Sequence, residues 1–88
     1  MERRLLVMNS KDNVGVLLEQ ASAKDTCRYH GDSIELTADI EFAHKVALID
    51  IPANERVIKY GHEIGYAEKA IHKGEWVHTH NMGCRRGK

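Results

Sequence analysis

The sequence is poor in most of what usually announces a function. Proline occurs once and cysteine twice in 88 residues. Cys27 and Cys84 have no spacing that would hold a metal between them, and in a reducing compartment they read as free thiols. Neither charge sign is in excess, with 13 basic and 13 acidic residues, so no field favours nucleic acid or an anionic membrane. No apolar run approaches the ~18 residues of a membrane-spanning helix. The run LLVM near the start is too short for the core of a signal peptide, so the chain is expected to be cytoplasmic. There is no glycine-rich phosphate loop, and no Ser-His-Asp or Cys-His arrangement is readable. The length gives one domain, with room for a small core but not for a deep active-site cleft of its own.

What is present is a series of short alternating apolar segments, at 4–8, 13–18, 26–29, 33–36, 45–49, 56–59 and 76–80, separated by turn-forming stretches such as HGD, IPANE, YGHE and HKGE. Short strands with turns at close spacing predict an all-β barrel or clip. The best helical candidate, GYAEKAIHK, begins with glycine and is under three turns long. The domain is expected to span 1–81, with 82–88 a flexible tail whose basic run, Arg85-Arg86-Gly87-Lys88, reads as a frayed end and not as a binding patch.

The chain also echoes itself. A slide of thirty lays residues 16–34 over 46–64, matching Val16 with Val46, Leu18 with Leu48, Gly31 with Gly61 and Ile34 with Ile64. A slide of twenty then matches Ile51, Glu55 and Val57 with Ile71, Glu75 and Val77. A repeated strand–turn–strand unit follows, with Val16, Leu18, Val46, Leu48, Val57 and Val77 expected to be buried together. Because strand side chains alternate faces, Thr79 should point inward with Val77, while Trp76, His78 and His80 share the other face.

His78-Thr79-His80-Asn81 is the segment richest in chemistry. On a strand, residues two apart project on one side with Cβ atoms about 6.5–7 Å apart, so two imidazoles can converge on one metal ion or one anionic substrate. Asn81 adds an amide able to orient a hydroxyl or carboxylate. No third protein ligand is obvious, although His44 and His62 are candidates, and two exposed histidines on an edge strand is the bland alternative. Lys45, Lys59 and Tyr60 place bases and donors beside buried strands, where solvated lysine is the ordinary state.

The segments DNVGVLL (12–18), AHKVALIDIPANERVIKYGHEIGYA (43–67) and GEWVHTHN (74–81) resemble, in order and spacing, the small SAF-type domain of the altronate and galactarate dehydratase family. The related sulfolactate sulfo-lyase has a small subunit of the same kind. One departure is Ala43, where the family usually has glycine, so the turn before His44 is where the backbone is expected to differ. The resemblance implies a β-clip fold and, since the chain stops soon after Asn81, a two-subunit sugar-acid hydro-lyase whose large dehydratase subunit is a separate chain. It also implies a divalent metal, Fe2+ foremost, held together with that subunit. On this reading His78 and His80 are metal or substrate contacts, Asn81 is an orienting group, and His44 and Lys45 are acid–base or carboxylate-binding candidates. The chain alone is expected to be inactive and to self-associate weakly at most. The alternatives are a sulfolactate sulfo-lyase small subunit and a non-catalytic binding or assembly module, since SAF-like folds also occur without lyase activity.

Overall fold

A computed structural model of the chain describes residues 1–84. Among these the chain is all-β, and no helix forms. Its strands are β1 (Glu2–Arg3), β2 (Leu5–Leu6), β3 (Val14–Leu17), β4 (Thr26–Tyr29), β5 (Asp32–Glu35), β6 (Lys45–Ala47), β7 (Arg56–Lys59), β8 (His62–Ala67), β9 (Trp76–Val77) and β10 (Met82–Gly83). They form three small sheets, in the orders β1-β4-β5, β10-β8-β7 and β2-β3-β6-β9. The longest strand, β8, went unread in the sequence because Gly65 interrupts its apolar alternation. Gly65 is there for room: a Cβ would run into the Gly83 carbonyl of β10. Met82 and Gly83, assigned to the tail, pair with Ala67 and Tyr66 and so extend the sheet. The run Arg85-Arg86-Gly87-Lys88 lies outside the described residues.

The internal echo is structural. Two hairpins thirty residues apart, β4–β5 and β7–β8, each turn through two left-handed residues, His30-Gly31 (φ 51° and 80°) and Tyr60-Gly61 (φ 56° and 79°). Positive φ at both central residues marks the type I′ turn, whose twist matches the flanking strands. A second unit occurs four times. A bridging apolar residue (Ala21, Ile40, Ile51, Ile71) leads into a turn with a left-handed residue (Lys24, Ala43, Asn54, Gly74), and a strand then begins at Thr26, Lys45, Arg56 or Trp76. The bridges pair internally, Ala21 with Ile40 and Ile51 with Ile71. Slides of twenty and thirty do not reveal the copy at Ile40, because its separations from the others are nineteen, eleven and thirty-one residues.

Alternation across the central sheet divides the interior in two. Val46 and Leu17 pack with Cys27, Ile34, Leu36 and Leu48 on one side, while Ala47, Val14 and Val77 pack with Val57, Ile51 and Ile71 on the other. The expected common core is therefore corrected: Val46 and Leu48 belong to one cluster and Val57 and Val77 to the other. Leu18 is 36% exposed and Val16, opposite the partly exposed Lys45, is half-buried, while Val14 and Leu17 are the fully buried side chains of β3, one in each cluster. Asn13 knits the halves together. Its amide donates to the Arg56 carbonyl (2.8 Å) and accepts from Ile58 N–H (2.7 Å), spanning the bulge between Val57 and Ile58.

The N-terminal segment is pinned by charge. Asp25 accepts from Ser22 N–H (2.9 Å) and from Arg3 Nε (2.8 Å), and these bonds hold its carboxyl down to about 2. A depressed carboxylate stabilises the fold above its unfolded value, near 4, and that contribution is lost as pH falls through the folded value. Urea melts between pH 5 and pH 2 should show stability falling with acid, with a shallower fall in Asp25→Asn.

The turns give a second test. Gly74 has φ 91° and a Cβ there would run into the Glu35 carbonyl, so Gly74→Ala should cost at least ~2 kcal/mol, from left-handed strain plus overlap. Ala43 occupies the matching turn at φ 74° without glycine. Relief of about 1–2 kcal/mol of strain, less about 0.5–1 for glycine's freedom in the unfolded chain, predicts that Ala43→Gly is neutral or stabilising by up to ~1.5 kcal/mol in the same melts.

Candidate functional site

β9 pairs antiparallel with β6, Val46 opposite Trp76 and Lys45 opposite Val77. This register sorts the sequence candidates. Residues 44, 46 and 76 share one face of the sheet, and residues 45, 47 and 77 the other. His44 therefore meets Trp76, with ring centroids 5.5 Å apart and the indole Nε1–H donating to His44 Nδ1 at 3.0 Å. Lys45 points to the opposite side. Burial, then the nearby charge of Lys59, lowers its ammonium pKa, and no salt bridge reaches it among the described residues. His44 and Lys45, adjacent in sequence, thus face opposite sides of the sheet.

The strand expected to run to His80 ends at Val77. Asn81 is the reason. Its side-chain oxygen accepts from His78 N–H (3.0 Å) and its amide donates to the Trp76 carbonyl (2.9 Å), which takes up the backbone groups that a longer strand would have paired. The His78 carbonyl in turn accepts from Asn81 N–H (3.1 Å) and Met82 N–H (2.8 Å), closing a turn over 78–81. Asn81 is 0% exposed. Its amide is thus spent inside the fold, which corrects its reading as a substrate-orienting group. Thr79 is exposed on the turn and does not follow Val77 into the core.

The turn nevertheless folds both histidines onto the indole. His78 stacks on Trp76 at 5.2 Å with an interplanar angle of 11°, and His80 lies 4.9 Å away at 41°. His44 and His78 are 5.6 Å apart. His78 is half-buried and His80 exposed, as expected of groups offered outward. The result is a four-ring face, His44–Trp76–His78–His80, beside a cleft of about 280 Å³ lined by Asp39, Ile40, Glu41, His44 and Trp76. Phe42, which follows the lining residue Glu41 in the chain, is 62% exposed. A hollow of about 350 Å³ lies apart, between residues 5–10 and the hairpin end at Arg28, Tyr29 and His30, and contains none of these rings. Trp76 is the member that sequence reasoning placed without assigning it a task. The signal was available: it is the single tryptophan, two residues before His78.

A divalent metal is not accommodated by this chain's own donors. Among the described residues no three His, Cys, Asp or Glu side chains gather to hold an ion, His44 Nδ1 already accepts from the indole, and His62 sits exposed at the tip of the β7–β8 hairpin. Both cysteines are free, and burial raises the Cys27 thiol pKa, so that group stays protonated and inert. No helix among the described residues is long and apolar enough to cross a membrane.

A small β-clip-like domain with one aromatic, imidazole-rich face is the class defined by these features. The chain belongs to the altronate/galactarate dehydratase SAF domain family, whose model matches residues 3–85. It is 43% identical over 70 residues to galactarate dehydratase (L-threo-forming) of Escherichia coli, covering 80% of this chain and 13% of that protein. It is 35% identical over 79 residues to altronate dehydratase of Bacillus subtilis, covering 90% and 16%. It is also 40% identical over 52 residues to (2R)-sulfolactate sulfo-lyase subunit alpha of Chromohalobacter salexigens, covering 59% and 55%. The family is thus one of dehydratases and lyases, and this chain spans only 13% and 16% of those two dehydratases.

The Asn81 clamp makes a direct prediction. Asn81→Ala removes two hydrogen bonds, leaves two part-buried backbone groups without them and opens space at a fully buried position, so it should cost about 2–4 kcal/mol in denaturant melts. Thr79→Val should stay within ~0.5 kcal/mol of the parent, as exposed substitutions do.

Proposed function

We propose that this chain is the small subunit of a two-part sugar-acid hydro-lyase of the altronate dehydratase type. The four-ring face carries the reading: four side chains able to stack or exchange protons meet beside a cleft that also holds Asp39 and Glu41, yet among the described residues no donor set for a metal gathers there. A face of that kind suits a domain that contributes to a site shared with a larger chain. Membership in a dehydratase family supports the chemistry, and a relative described as a subunit supports the division between chains. Phe42, exposed and two residues before His44, is where that partner would bury apolar surface.

Dehydration of a polyhydroxy acid removes a proton next to the carboxylate and expels a β-hydroxyl, which leaves more easily when protonated. Imidazoles at His44, His78 and His80 can hydrogen-bond the hydroxyls and carry that proton. Lys45, on the other side of the sheet, is no longer a candidate for the same site. The divalent ion that the resemblance implies is, on this reading, held by the partner chain, and no step of this domain depends on it.

A second reading is favoured by one observation. This chain is 40% and 45% identical, over 52 and 49 residues, to two proteins described as (2R)-sulfolactate sulfo-lyase subunit alpha. A sulfolactate sulfo-lyase small subunit would expel sulfite instead of water.

The test is reconstitution with a separate large dehydratase chain. The isolated chain should turn over neither altronate nor galactarate, and the complex should turn over one of them. His78→Ala and His80→Ala should each lower turnover of the complex by about a hundredfold or more, the loss typical of one acid–base group, while melts shift by less than ~0.5 kcal/mol for the exposed His80. Sulfite release from sulfolactate in place of dehydration would select the second reading. Full activity in both histidine variants would leave only a binding or assembly module.

A further inference from the structure

We propose that Trp76 is a positioning residue for His44, fixing its neutral imidazole as the Nε2–H tautomer. An indole nitrogen can only donate, so the ring nitrogen 3.0 Å from Trp76 Nε1, His44 Nδ1, must present a lone pair. The single proton of the neutral ring then resides on Nε2. That nitrogen has no hydrogen-bond partner among the described residues, and His44 lines the cleft.

The indole is itself held firmly enough to impose this choice. Its backbone is paired with Val46, its body packs on the first core cluster, and its ring is stacked by His78 at 5.2 Å and flanked by His80 at 4.9 Å. The backbone of His44 is fixed by two bonds, its N–H to the Glu41 carbonyl (3.2 Å) and its carbonyl to Leu17 N–H (3.0 Å). Two rings anchored on paired segments leave the hydrogen bond between them little freedom to exchange its sense.

The consequence for chemistry rests on the proposed function. With Nε2–H exposed, His44 meets a substrate as a hydrogen-bond donor. It can donate to a departing hydroxyl and stabilise the charge that develops there while keeping its proton, since losing it would leave the neutral ring an imidazolate. The proton that makes the hydroxyl water comes from another acid of the shared site. The other tautomer would offer a lone pair there and act as a base. Trp76 thereby selects donor over acceptor without touching the substrate, as partners that orient a catalytic imidazole do.

The test separates this inference from the reading on which it rests. Long-range proton–nitrogen NMR spectra of the isolated chain, about two pH units above the ordinary imidazole value, should show His44 with its proton on Nε2. Trp76→Phe keeps a ring but removes the donor, and a population protonated on Nδ1 should appear. Nδ1–H in the parent protein, or an unchanged tautomer in Trp76→Phe, overturns the inference whatever the enzyme does. If Trp76→Phe fails to fold, the parent spectrum alone decides. In the reconstituted complex, Trp76→Phe should lower kcat about tenfold to a hundredfold with KM little changed. His44→Gln, which keeps an N–H near the Nε2 position, should retain more activity than His44→Ala. Adding Trp76→Phe to His44→Gln should then bring no further loss, and fully additive losses would overturn the positioning role. A parent complex inactive on every acid tried would sink the proposed function and leave the tautomer measurement standing.

Discussion

Val46 opposite Trp76 and Lys45 opposite Val77 is the contact from which the rest of the molecule follows. β6 and β9 are corresponding strands of the two halves, each preceded by the same left-handed turn, and they meet antiparallel. Their pairing closes the central sheet. Because alternate residues face opposite ways, the same register sends Val46 into one core cluster and Ala47 with Val77 into the other. It also brings the turn before β6 against the start of β9, which is where His44 and Trp76 touch. A slip of one residue would exchange the faces, burying Trp76 among the small residues of the second cluster and turning Val77 towards His44.

Functional groups here are held by structural polar residues of two kinds. Asparagines act as extra backbone: Asn13 bridges the bulge in β7 and Asn81 closes the turn after β9, each using both ends of its amide. Buried carboxylates gather N–H groups. Asp12 accepts from Gly61 at 2.7 Å and from Met8 and Asn9, and although burial pushes its pKa up, those bonds win and lower it. No buried side-chain polar atom is left unsatisfied among the described residues. In a chain with two small cores, such bonds fix turns that apolar packing alone would leave loose.

The conformational cost falls at the turns. Left-handed φ is natural for Gly31, Gly61, Gly74 and tolerable for Asn54, but Lys24, His30, Ala43 and Tyr60 adopt it against the preference of their side chains. The strain is repeated wherever a tight reversal is needed to keep successive strands in register. At Ala43 it lies one residue before His44. There the turn forms without glycine, held by Ala43 N–H to the Leu17 carbonyl (2.9 Å) and His44 N–H to the Glu41 carbonyl.

The sequence by itself determined the class of fold, the repeat and the chemical inventory. Alternation at period two and close turn signals fix an all-β chain because those are local properties of the backbone. The thirty-residue echo survived because equivalent turns need equivalent backbone geometry, as at His30-Gly31 and Tyr60-Gly61. What only the tertiary structure decided is which groups meet. His44 and Lys45 look like one motif in the sequence, yet strand alternation separates them and pairing across thirty-two residues joins His44 to Trp76 instead. Asn81 reads as an orienting amide beside His78 and His80, but its contacts with the Trp76 carbonyl and His78 N–H turn it inward and end the strand. Its role depends on which backbone groups lack partners once the chain has folded, and no local pattern encodes that.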